Sequence, residues 1–304
     1  MNGSTDTQVV VDHLRRNGII ETGGGVPLPL GIPGVEMHAD GELAIEGERC
    51  VPQPRVLSDL LRVGGGQGAY LADRAATAAA LRAGHDPVLY HAFRDFLPPR
   101  EKTSDRLVLT APGEPRPSST GHIFADLIVY LPGTLPGGEP FRSTGHWNLP
   151  GQLELFQTLT GRVLMLVGGR ASDGRRFLYE QVCGPGEVMA VPFGVWHVSY
   201  VLDGPAVVFN VTTDVGDGQP GHSADPGFGK YERAAPIAIT ACRRADSHVF
   251  TGTPAALRTW GEPTTAPRTD WLAPGLSLAD LHLYASPARL ADLQQAARDA
   301  YRDH

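Results

Sequence analysis

The chain has 304 residues, 41% of them hydrophobic, and a formal net charge of -7. That length can bury one large core or two small ones, and an acidic balance without a clustered Lys/Arg run argues against nucleic acid as a partner, because neutralising phosphates requires a positive surface. No apolar run approaches the ~20 residues of a membrane-crossing helix, and the N-terminal MNGSTDTQVVVDHLRRNG lacks the basic-then-apolar order of a secretion signal, so a soluble cytoplasmic protein without membrane contact is expected.

Residues 1–53 are rich in Gly and Pro (TGGGVPLPLGIPGVE) and read as an irregular N-terminal arm. The Ala- and Leu-rich GAYLADRAATAAALRAG predicts a helix that Gly84 ends. From Pro87 the pattern becomes a series of short β-type runs: PVLYHAF, RLVLTAPG, FADLIVYLPG, LELFQTL, RVLMLVGG, RRFLYEQVC, EVMAVP, HVSYVL and AVVFNVTT. Turns are expected at Thr160-Gly161, Asp173-Gly174, Gly184-Pro185-Gly186 and Asp203-Gly204, where residues that tolerate positive φ fix hairpin register. The fold class is therefore all-β, a meandering set of strands closed as a jelly-roll barrel over 54–235, with helical additions at both ends. In the C-terminal extension, 236–304, one more β-like run (IAITAC) and a Pro/Thr-rich connection precede a final helix. Ser286 suits its cap, Pro287 its first position, and Leu290, Leu293, Ala297 and Ala300 its apolar stripe. Cys50, Cys183 and Cys242 are odd in number and share no CxxC spacing, which predicts reduced, buried thiols.

Two stretches carry chemistry. GHWNLPGQLELFQTLTG, Gly145 to Gly161, opens like a cupin metal-binding loop, in which two histidines one residue apart precede a glutamate and a turn glycine, but Asn148 stands at the second histidine position. In GEVMAVPFGVWHVSYVL, Gly186, Pro192, Gly194 and His197 follow the spacing by which such a barrel brings a late histidine against the first motif, with Ser199 on the same face. Together they offer His146, Glu154 and His197. Two imidazoles and a carboxylate suit one divalent metal ion, Fe, Mn, Ni or Zn, with positions left for a substrate. Asn148 can add a weak carbonyl ligand, and Glu154 can also act as a base.

These motifs, with the entry segment PRVLSDLL, the helix-and-strand stretch GAYLADRAATAAALRAGHDPVLYHAF and the late TDVGDGQPGHSADPGFGK, resemble the cupin-type phosphoglucose isomerases over about residues 54–235. The resemblance implies a cupin barrel, a divalent metal on His146, Glu154 and His197, and aldose–ketose interconversion of a small phosphorylated sugar. It places Ser143 and Gly145 at the phosphate end. It also marks departures: the family's phosphate-contacting threonine falls on Leu127 or Ile128, its tyrosine on Phe156, and its late histidine on Asp217 or His222. Changes clustered at Asn148, Phe156 and His222 point to an altered substrate on an unaltered fold.

The expected protein is thus a homodimeric, metal-dependent isomerase of a sugar, sugar phosphate or related hydroxy-carbonyl compound. A mononuclear iron oxygenase and a non-catalytic binding barrel are the alternatives. Trp147 and Trp196, beside the two histidines, are either pocket walls or ordinary packing. Arg142 and Arg170 are either anion contacts or solvated side chains, and Tyr200 is expected to find a local hydrogen-bond partner.

Overall fold

The computed structural model describes residues 52–102, 107–109, 122–148, 151–214 and 237–302, apart from 65, 172, 245, 246, 268 and 273–276, together with Arg16 and three short strands near the N-terminus. Those strands, β1 (Val35–Met37), β2 (Leu43–Ile45) and β3 (Glu48–Cys50), form an antiparallel sheet. The arm expected to be irregular therefore contains regular pairing. Next come β4 (Pro52–Val56), α1 (Asp59–Arg62) and α2 (Arg74–Arg82). Helix α2 starts later than its Ala-rich pattern suggested because Asp73 caps it, accepting from the Ala76 amide at 2.8 Å.

The barrel strands are β5 (Val88–Lys102), β6 (Leu107–Leu109), β7 (His122–Tyr130), β8 (His146–Trp147), β9 (Leu153–Arg170), β10 (Arg176–Cys183), β11 (Val188–Val191) and β12 (Trp196–Asp214). They are followed by a hairpin of β13 (Ile239–Arg244) and β14 (Ser247–Gly252), α3 (Pro254–Trp260), β15 (Thr264–Thr265), α4 (Leu278–Tyr284) and α5 (Pro287–Arg302). The main sheet runs β15-β10-β9-β12-β7-β5-β4, with β11 on β9 and β8 on β12. Consecutive strands pair as a meander would at β4–β5, β5–β6 and β9–β10, whereas β12 crosses back to lie between β9 and β7. The fold is all-β, one large bent sheet that closes as a barrel, with helical additions.

Two of the expected turns are absent. β9 runs through Thr160-Gly161 and β12 through Asp203-Gly204, and the register between these strands slips around Val201, Asp203 and Val207. A bulged bend turns each strand from one wall of the barrel to the other, which closes the barrel without breaking the ladder. Gly161 makes this possible: its φ is 73°, and a Cβ there would lie 2.6 Å from the Asp203 carbonyl oxygen. The Asp173-Gly174 and Gly184-Pro185-Gly186 turns form as expected, linking β9 to β10 and β10 to β11.

The barrel strands are buried on both faces, which is why several read as continuous apolar runs. On β7, Ile123, Ala125, Leu127 and Val129 face outward into a cluster with Leu278, Leu281, Leu290, Leu293 and Ala297 of α4 and α5, while Ile128 and Tyr130 face the interior. Burying the Leu290 and Leu293 side chains stabilises by about 1.5–3 kcal/mol each. Ser286 caps α5, accepting from the Arg289 amide at 3.2 Å. A second outer cluster packs Leu164, Leu166, Trp196, Val198 and Tyr200 against Ile237, Ile239, Ala241 and Ala256. Helices α3 and α4 lie in the segment expected to be a plain connection. Among the described residues no helix is long and apolar enough to cross a membrane.

Candidate metal centre

β8 and the start of β12 pair antiparallel, setting His146 opposite His197 and Trp147 opposite Trp196. Because successive side chains alternate, the two imidazoles face the barrel interior and the two indoles face out. Trp196, 3% exposed, belongs to the outer cluster, and Trp147 packs against that same cluster. The tryptophans therefore do not wall the interior that holds the two imidazoles. Gly145 lets β8 approach so closely: its φ is 73°, and a Cβ would fall 2.9 Å from the Trp196 ring and 3.2 Å from the His197 carbonyl oxygen.

Glu154 enters from β9, one residue beyond the strand start, and its Oε2 lies 3.2 Å from His197 Nε2 and 3.6 Å from His146 Nε2. The imidazole ring centroids are 4.2 Å apart at 67°. One ligand atom from each residue lies within 4.8 Å of the others. Donors on adjacent corners around an ion with ~2.0–2.2 Å bonds stand about 2.8–3.6 Å apart from octahedral to tetrahedral geometry, so the separations on the carboxylate oxygen fit one divalent ion. Two nitrogens and an oxygen suit Fe, Mn, Ni or Zn. His146, with 15% of its side chain exposed against 3–4% for the other two, lies on the accessible side.

The other expected site residues divide. Phe156 is in the interior, its ring centroid 5.4 Å from that of His197. The Ser143 hydroxyl accepts from the Ser199 amide at 3.0 Å, and the Ser199 hydroxyl donates to Met165 Sδ at 2.9 Å; burial pushes the Tyr130 phenol well above the usual range. Asn148 is fully buried, and its Nδ2 donates to the Val191 and Pro192 carbonyls at 3.3 and 3.2 Å. Val191 is the ladder partner of Glu154, so this amide ties the first motif to the strand beside the carboxylate. Of the two threonine-equivalent positions, Ile128 faces the interior and Leu127 faces the terminal helices. His222 and Asp217 lie outside the described residues.

Several polar residues of the interior escape sequence reading. Thr212 is the ladder partner of Glu154 and donates to its Oε1 at 3.1 Å; the same hydroxyl lies 3.0 Å from Asn210 Oδ1. Asp126, Asn210 and Phe156 stand abreast on β7, β12 and β9, and Asp126 pairs with Arg94 at 2.5 Å. The available signal was period-two polarity inside FADLIVY and AVVFNVTT, which a strand buried on both faces obscures.

Arg142 is not an anion contact. It is 1% exposed and donates to Glu139 Oε1 at 3.3 Å, the Tyr70 carbonyl at 3.0 Å and the Ser143 carbonyl at 3.1 Å. Glu139 also accepts from the Thr240 hydroxyl and from the Ala72 amide at 2.9 Å. Tyr200 joins this network through Thr240 at 3.0 Å, a partner forty residues away where a local one was expected. The network pins the segment leading into β8 to the β13 strand.

No family model matches the chain, and no curated protein matches it. Similarity is found to solved structures. Oxalate oxidase in complex with the substrate analogue glycolate is 19% identical over 33% of this chain and 45% of that one, with a TM-score of 0.24. KdgF from Halomonas sp. is 12% identical over 33% of this chain and 84% of that one, with a TM-score of 0.23. A serine-to-alanine mutant of oxalate decarboxylase from Bacillus subtilis is 21% identical over 37% of this chain and 29% of that one, with a TM-score of 0.24. The matched region spans half or less of the oxidase and the decarboxylase.

Proposed function

We propose that the protein is a metal-dependent isomerase of a small hydroxy-carbonyl compound, a sugar or sugar derivative, held at His146, Glu154 and His197. The observation that carries this reading is the division of labour on one carboxylate: Oε2 of Glu154 faces both imidazoles while Oε1 meets the Thr212 hydroxyl. A divalent ion held there would polarise a carbonyl and acidify the C–H between it and a neighbouring hydroxyl.

The chain's own groups suit proton movement. Thr212 has one hydroxyl hydrogen and two acceptors within reach. Directed at Glu154 Oε1, it stabilises the ionised carboxylate; turned to Asn210 Oδ1, it leaves a lone pair for a proton carried on Oε1. Both protonation states of Glu154 are thereby accommodated without moving the strand. Asn210 and the Arg94–Asp126 pair supply polar contacts for substrate hydroxyls, and Phe156 and Ile128 supply apolar walls where the resembling family places hydroxyls. Glucose 6-phosphate should consequently be a poor substrate.

The test is NMR-followed aldose–ketose exchange over a panel of sugars and sugar phosphates in solvent deuterium oxide, with protein reconstituted separately with Fe, Mn, Ni and Zn. Conversion by the parent and its loss in Glu154→Gln are expected. Stoichiometric oxygen uptake during turnover would replace isomerisation with oxygenation. A dimer and a cytoplasmic location remain parts of this proposal, to be checked by sedimentation and by fractionation.

A further inference from the structure

On the outside of the barrel, Arg170 at the end of β9 and Arg176 at the start of β10 are direct cross-strand partners. Like charges set opposite each other on neighbouring strands are destabilising. Both side chains are exposed, and among the described residues neither takes part in an ion pair. Between them and helix α3 lies a pocket of about 400 Å³, lined also by Trp147, Thr259 and Trp260 and by no carboxylate. The Arg176 guanidinium sits 5.8 Å from the Trp260 ring centroid. The volume is in the range of small-molecule sites, roughly 300–1,000 Å³.

The geometry points to a second ligand site here, for an organic anion: a ring compound bearing one carboxylate or phosphate. The anionic group bridges the two guanidinium forks and removes their repulsion, and the flat ring lies against indole. Trp147 separates this site from the candidate metal centre, since its neighbour His146 faces the opposite side of β8. Neither proposed activity nor bound metal is required for binding.

Indole fluorescence reports the site, because two of the chain's 4 tryptophans line it. Phenyl phosphate, benzoate, inorganic phosphate and phenol are titrated against the full chain. Saturable binding of phenyl phosphate or benzoate is expected, about tenfold or more tighter than inorganic phosphate or phenol alone; the preferred anion tells phosphate from carboxylate. Arg170→Ala combined with Arg176→Ala should weaken it at least about tenfold. Arg176→Glu should abolish it while raising Tm, because the new glutamate pairs with Arg170 across the ladder. His197→Ala should leave binding unchanged. The proposal is overturned by absence of saturable binding, by equal affinity in the arginine variants, by inorganic phosphate binding as tightly as the ring compounds, or by loss of binding in His197→Ala, which would locate the ligand in the barrel.

Discussion

Thr212 stands directly opposite Glu154 on the neighbouring strand, and its hydroxyl donates to Glu154 Oε1 at 3.1 Å. The bond fixes the rotamer of a buried carboxylate whose other oxygen faces two imidazoles. Groups that orient ligands in this way typically contribute 10- to 100-fold in metal affinity. Thr212→Val should therefore weaken divalent metal binding by about that factor at unchanged fold, and Thr212→Ser should restore it. Calorimetric metal titration of the three proteins decides this.

Purified protein should carry one divalent ion per chain, and His197→Ala or Glu154→Ala should strip it without unfolding. Elemental analysis with circular dichroism checks both halves of the statement. Full occupancy in both variants would show that His146, Glu154 and His197 do not form the centre.

Asn148 is a structural tie as well as a site residue. Asn148→Ala removes two donors from the buried Val191 and Pro192 carbonyls and should cost about 1–3 kcal/mol in urea unfolding. Asn148→His should tighten the metal, since imidazole is the better ligand for these ions, and should depress turnover of the native substrate. Gain of glucose 6-phosphate isomerisation in Asn148→His alone would instead mark the parent as a degenerate isomerase.

The terminal helix is part of the barrel's stability. Gln294 Nε2 donates to the Gly151 carbonyl at 3.3 Å and to Thr213 Oγ1 at 3.0 Å, bracing the strands that carry Glu154 and Thr212. Leu290→Ala should cost about 2–5 kcal/mol, and truncation after Ala285 should lower Tm and weaken metal binding together. Unchanged metal affinity in a folded truncated chain would uncouple the helix from the centre.

Cys183 is 2% exposed, and burial, with Glu187 nearby, pushes its thiol from an ordinary 9.0 up to about 12. The raised value favours the protonated native state. This contribution is complete below pH 9.0 and is lost as pH rises toward about 12, because the unfolded chain releases the proton first. Thermal stability should fall over that window, with a smaller fall in Cys183→Ala. Below it, a thiol reagent should label Cys183 only on unfolding, read by mass spectrometry.

His146, Glu154 and His197 were legible in the sequence because their positions relative to turn glycines are set by local geometry, and so were most strands and the Ser286 cap. What period two could not assign was which face of a doubly buried strand looks inward. Leu127 and Ile128 read alike until helices α4 and α5 cover one side, and Trp147 and Trp196 read equally as walls of the metal pocket or as packing until the ladder puts them outside. Thr160-Gly161 and Asp203-Gly204 have the composition of turns, yet mutual pairing makes them bends, because each glycine-bearing segment is held by the other strand. The Thr212–Glu154 bond, the buried Arg142–Glu139 pair and the Arg170–Arg176 juxtaposition join residues far apart in the chain or set by register. Local propensity carries no information about such contacts, and only the closed barrel brings them together.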